Sequence, residues 1–120
     1  MAVGRELHEL RALVVSAEGG DAGAAAALAA DAPALARLRA ADRDLGFRAD
    51  LVALGHVLAH PTTYPDETAR ERYSALLDEF GRDAASMARL KPLGERLHTL
   101  EREGVLPRAM VVRSRRRRDQ

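Results

Sequence analysis

Residues 34–60, ALARLRAADRDLGFRADLVALGHVLAH, decide how this chain folds. Apolar side chains fall at Leu35, Leu38, Ala41 and Leu45, then at Phe47, Leu51, Leu54 and Leu58, with Val52 and Val57 beside them. Spacings of three and four are those of a helix that buries a stripe. In the second half the apolar positions cover most of the circumference, and a helix that is apolar all round has to be surrounded by others. Residues 47–60 are therefore expected to form the central, most buried helix. The phase slips near Gly46, and a glycine inside a helix costs about 1 kcal/mol relative to alanine. A bend or boundary is expected at Leu45–Phe47.

Working toward the N-terminus, Val3, Leu7, Leu10, Val14 and Ala17 keep the same rhythm, with Arg5, Glu6, Glu9 and Arg11 on the other side. This is an amphipathic helix that stops at Gly19 and Gly20, where the absent side chain eases departure from helical geometry. The alanine-rich stretch that follows should be helical from about residue 22 to 30, because alanine has the highest helix propensity. Asp21 is a candidate N-cap, and Asp31 another before Pro33.

Toward the C-terminus, Pro61 ends the central helix. The segment TTYPDET (62–68) then carries a start signal: Thr63 stands three residues before Asp66, Pro65 lies in the first turn, and Asp66 and Glu67 sit beside the positive helix end. Ala69, Tyr73, Leu76, Leu77, Phe80, Ala84 and Met87 continue a three-and-four rhythm that predicts one long amphipathic helix near 65–90. At 1.5 Å per residue it would span roughly 38 Å. Leu93, Leu97 and Leu100 predict a last helix over about 92–103, closed by Gly104. The expected fold is all-α: a compact bundle of five or six helices forming one domain over residues 1–112, with a basic, Arg-rich tail over 113–120.

Composition bounds the function. A chain of 120 residues suffices for a core without disulfide or metal staples, and the lack of cysteine removes disulfides, thiolate metal sites and a cysteine nucleophile together. No apolar run reaches the roughly 18 residues of a membrane span, and MAVGRELHEL carries acidic residues where a signal peptide would have its apolar h-region; no membrane role and a cytoplasmic location are expected. Isoleucine, asparagine and tryptophan are absent and Lys91 is the single lysine, the pattern of a GC-rich, bacterial genome. Such a genome writes most cations as arginine, which lowers what an arginine run says about phosphate contact. The whole chain carries +1, of which residues 113–120 hold +4, so residues 1–112 hold −3. A mildly acidic body with a short basic tail is not a surface built throughout for nucleic acid.

Catalytic patterns are sparse. His56 and His60, four residues apart in HVLAH, would project from one helix face toward a common ion, with Asp50 or a residue from another helix to complete a site, but no HExxH glutamate lies between them. His60 equally suits the C-terminal turn of a helix before Pro61, where a protonated imidazole meets the negative end of the helix dipole. Asp42 and Asp44 do not share a helix face, and Asp78, Glu79 and Asp83 read as a solvated face. Ser16, Ser74, Ser86 and Ser114 lie in no nucleophile motif. No enzymatic activity and no cofactor are expected.

The remaining features concern binding. The loop HPTTYPDET (60–68) is the best polar surface segment, and Tyr64, Tyr73, Leu77 and Phe80 are the candidate partner-binding residues. Arg113, Arg115, Arg116, Arg117 and Arg118 are candidate contacts to nucleic acid or to an acidic partner. The segment LHTLEREGVLPRAMVVRSRRRR (97–118) is similar in outline to the end of a winged-helix DNA-binding domain: a helix, a glycine turn, an apolar stretch and a basic strand. The preceding DAASMARLKPLGERL (83–97) departs from that pattern, since Pro92 interrupts it and no polar recognition helix follows a tight turn. The expected function is a small helical protein-interaction module or accessory subunit, binding a protein partner or forming a homo-oligomer such as a homodimer. The alternative is a DNA-binding transcriptional regulator acting through the basic segment, and a metal-binding or enzymatic role of His56 and His60 stands third.

Overall fold

The computed structural model describes residues 6–63 and 66–106. They form α1 (Leu7–Glu18), α2 (Ala22–Ala29), α3 (Ala32–Ala41), α4 (Arg43–Ala59), α5 (Asp66–Phe80) and α6 (Ala84–Arg102), with no strand among the described residues. The all-α bundle is thus observed, at the upper of the expected helix numbers. Val3, Tyr64, Pro65 and residues 107–120, with the expected tail contacts from Arg113 to Arg118, lie outside the described residues.

Aspartates start most of these helices. Asp21, Asp31, Asp42 and Asp83 accept backbone N–H bonds from Ala24, Ala34, Leu45 and Ser86, satisfying donors that the first turn leaves unpaired. Asp42 also closes α3. It sets the α3–α4 boundary three residues before the expected bend at Leu45–Phe47, and Gly46 lies inside α4. The phase slip was real but its position was not, because Gly46 serves a close approach instead of a turn. A Cβ there would come within 2.5 Å of the Arg39 Cα, where α3 crosses α4. Gly20, by contrast, does end a helix, with φ of +106°, a region side chains disfavour.

The long helix expected over 65–90 is two helices. α5 stops at Phe80, and after the Gly81–Asp83 turn α6 starts under the Asp83 cap, whose carboxylate also accepts from the Ser86 hydroxyl at 2.7 Å. The apolar rhythm crosses the turn without a slip, which conceals it from periodicity. The helix expected from about 92 instead runs from Ala84 through Pro92. Proline inside a helix forfeits a bond to the carbonyl four residues back; here Ala88 and Pro92 are both exposed, so the lost bond falls on the outer side of α6.

α4 is the central helix, as expected, and packs against each of the other five. One cluster of buried side chains draws on all six helices and on Leu106. Phe47 of α4 stacks on Phe80 of α5 with ring centroids 4.1 Å apart and planes at 27°, while the guanidiniums of Arg89 and Arg43 lie over these rings at 5.1 and 4.4 Å. Arginines also staple the rim. Arg48 of α4 grips Glu18 of α1 through two bonds of 2.8 and 2.7 Å, and Arg70 of α5 does the same to Glu101 of α6 at 3.1 and 2.5 Å. Glu101 is only 8 % exposed, and this two-pronged pairing is what permits a carboxylate so deep in the bundle.

The two glycines of α4 make opposite predictions. Gly46→Ala gains roughly 1 kcal/mol of helix propensity but drives a methyl into the α3 backbone, which costs about 1–3 kcal/mol; its denaturation midpoint should fall. At Gly55 a Cβ would meet only Leu93 Cδ2 at an ordinary 3.9 Å, so Gly55→Ala should raise the midpoint. Urea unfolding of the two variants checks both signs.

Candidate binding cleft

α3 and α5 both pack on α4 and scarcely touch each other. The space between them is a cleft of about 350 Å³, with α4 as its base, within the range of small binding sites. Its apolar lining is Ala32 and Leu35 from α3 with Ala75 and Leu76 from α5. Its charges are Arg39 from α3, Asp50 from α4, and Glu71, Arg72 and Glu79 from α5. Helical spacing explains the α5 wall: Glu71, Ala75 and Glu79 recur every four residues and stack along one face, all three exposed.

The cations of the cleft are engaged within the fold. Arg39 Nη1 binds Asp50 Oδ2 at 2.6 Å. Arg72 Nη2 donates to the Ala29 carbonyl at 2.6 Å, at the end of α2 where carbonyls lack helical partners and a positive charge is favoured. Next to the cleft, Arg43 donates to the Glu79 carbonyl at 3.1 Å and stands 3.4 Å from its carboxylate. Asp50, whose side chain is 12 % exposed, has its carboxyl pushed above the ordinary range chiefly by burial, which outweighs the opposing pull of Arg39 and Arg72. Glu18, in the shallower pair with Arg48, is held below the ordinary range by the Arg48 hydrogen bond.

The structure distributes the expected site residues differently. His56 and His60 are neighbours, ring centroids 4.3 Å apart, but Asp50 is committed to Arg39 in the cleft and does not join them. Among the described residues no three His, Asp or Glu side chains are grouped to hold a metal. His60 Nδ1 lies 3.0 Å from the His56 carbonyl, the helix-end arrangement, and burial with the neighbouring His60 pushes the His56 imidazole down.

The apolar surface expected on α5 for a partner is turned inward. Phe80 is 5 % exposed and belongs to the core. Tyr73 lies so close to Gly94 that any Cβ there would collide with its ring, and Leu77 packs partly buried against the core. The exposed large apolar side chains among the described residues are Val15, at 60 %, and Val105, at 41 %, on separate elements. Of the winged-helix outline, residues 97–106 finish α6 and its glycine turn, with Gly104 at φ +79°, and the basic strand would fall outside the described residues.

Sequence reasoning missed Arg39, Glu71 and Arg72 as site residues. Glu71 shares a helix face with Ala75 and Glu79, but nothing local announces that α3 and α5 stand on the same side of α4. No protein-family model, curated protein or solved structure matches the chain.

A pH signature follows from Asp50. Its folded value exceeds its unfolded value, so the native state binds the extra proton, and Asp50 lowers stability as pH rises from about 3.9 through the folded value. Asp50→Asn keeps an oxygen for Arg39 and removes that titration. The stability of the variant relative to wild type should therefore increase with pH across this window, read from urea midpoints; Glu18→Gln should show the opposite trend.

Proposed function

We propose that the protein is a small helical interaction module that acts by binding and not by turnover, and that its partner docks in the cleft between α3 and α5. The observation that carries this reading is the cleft itself: an apolar lining between two charged walls, reached between helices that α4 holds apart. With Phe80 buried and Tyr73 and Leu77 partly buried against the core, the proposal takes the opposite, polar face of α5 as the partner surface in place of its apolar stripe. No helix among the described residues is long and apolar enough to cross a membrane, and a cytoplasmic setting belongs to the proposal. Filling the cleft tests it. Ala75→Trp places an indole between Glu71 and Glu79 at an exposed position, so folding should survive while partner affinity falls about tenfold or more, equivalent to about 1.4 kcal/mol. Capture from source-cell lysate with tagged wild-type and Ala75→Trp chains reads this out. Equal capture by the two, with unchanged thermal midpoints, would overturn the reading.

A second reading, nucleic-acid binding, is favoured by the segregation of charge. Residues 81–120 hold eleven Lys and Arg against five Asp and Glu, whereas residues 1–80 hold eight against thirteen. Basic character thus extends beyond the last eight residues onto α6, where Arg89, Lys91, Arg96 and Arg102 are exposed. If Arg113 and Arg115–Arg118 each neutralise one phosphate, log affinity for duplex DNA should fall against log salt with a slope of about −4.5. A slope near zero in a salt-series retention assay would dismiss it.

A further inference from the structure

We infer that the cleft selects a basic polypeptide segment of a partner protein, one that carries arginine or lysine beside small apolar residues; this rests on the binding role proposed above. The selection follows from which charges of the cleft are already used. Arg39 is held by Asp50, Arg72 reaches inward to the Ala29 carbonyl, and Arg43 lies over the Phe80 ring while bonding the Glu79 backbone. An acidic ligand that drew Arg39 away would take from the largely buried Asp50 carboxylate its hydrogen-bonded counter-ion, the costly way to break such a pair.

The α5 wall has the opposite property. Glu71 is exposed and makes no ion pair among the described residues. Among the described residues Glu79 shares its carboxylate only with an exposed Arg43 at 3.4 Å, a contact that is weak in water and free to exchange. Glu71 and Glu79 are separated by eight residues, about 12 Å along the helix, a distance that an extended segment covers in about four residues. Between them Ala75 leaves open the way to Leu35 and Leu76. Two cationic side chains at the carboxylates with a small apolar side chain between them fit this wall, and arginine fits best because its planar fork matches a carboxylate through two bonds.

The test uses the full chain and a pair of synthetic peptides that share alanines and leucines, one with arginine and the other with glutamate at every remaining position. At low salt the arginine peptide should shift the backbone amides of Leu35, Ala75 and Glu79. Its affinity should fall about tenfold in Glu71→Lys/Glu79→Lys and by less in Glu71→Gln/Glu79→Gln, and the glutamate peptide should not bind. The same titration on a chain with Arg113 and Arg115–Arg118 changed to glutamine removes competition from the protein's own arginines. The inference is overturned if the arginine peptide binds neither chain, if both peptides bind alike, or if the shifts gather on the acidic side chains of α1. Partner capture that is lost in Ala75→Trp but indifferent to Glu71→Lys/Glu79→Lys would leave the binding role standing and sink the basic selectivity.

Discussion

Every other helix among the described residues rests on α4, and α4 can be surrounded only because it is narrow where its neighbours cross it. Gly46, Ala49 and Ala53 are buried along it, and at Gly46 the α3 backbone comes so close that even a methyl group is excluded. Small residues bring helix axes together, and the larger Leu45, Phe47, Leu54, Val57 and Leu58 then fill the spaces on either side. Close packing of this kind tolerates little change in volume. The glycine that looks like a weak point in the sequence is a condition of the fold.

The same arrangement makes the cleft. Because α3 and α5 both seek the apolar surface of α4, they lie side by side and scarcely touch each other, and the gap keeps the charged residues that face into it. Arg39, Arg70 and Arg48 tie neighbouring helices to one another through carboxylates, and Arg72 closes the end of α2. Many of the arginines of this composition are thus structural. The acidic residues of α5 are the complement left over, which is why the wall they form is the chemically distinctive surface among the described residues.

Where the sequence was legible, the physics was local. Asp21 and Asp31 were identifiable as caps because a short carboxylate next to a run of helix formers has few other uses, and the central helix was identifiable because residues 47–60 are apolar nearly all round. Where it was not, two tertiary facts intervened. The Gly81–Asp83 turn preserves the apolar phase, so Phe80 and Ala84 read as one stripe although they belong to different helices. Pro92 reads as a boundary, yet it stands on the exposed side of the helix, and Leu97 and Leu100 anchor the helix beyond it.

The candidate site divides in the same way. The sequence by itself determined that the chain is helical and which helix is central, because helical periodicity is a property of neighbours along the chain. Only the tertiary structure decided that Tyr73, Leu77 and Phe80 face inward, that Asp50 belongs to Arg39 and not to the histidines, and that Arg39 and Glu79 look into one cleft. These are relations between α3, α4 and α5, set by how helices pack across sequence separations at which periodicity carries no information.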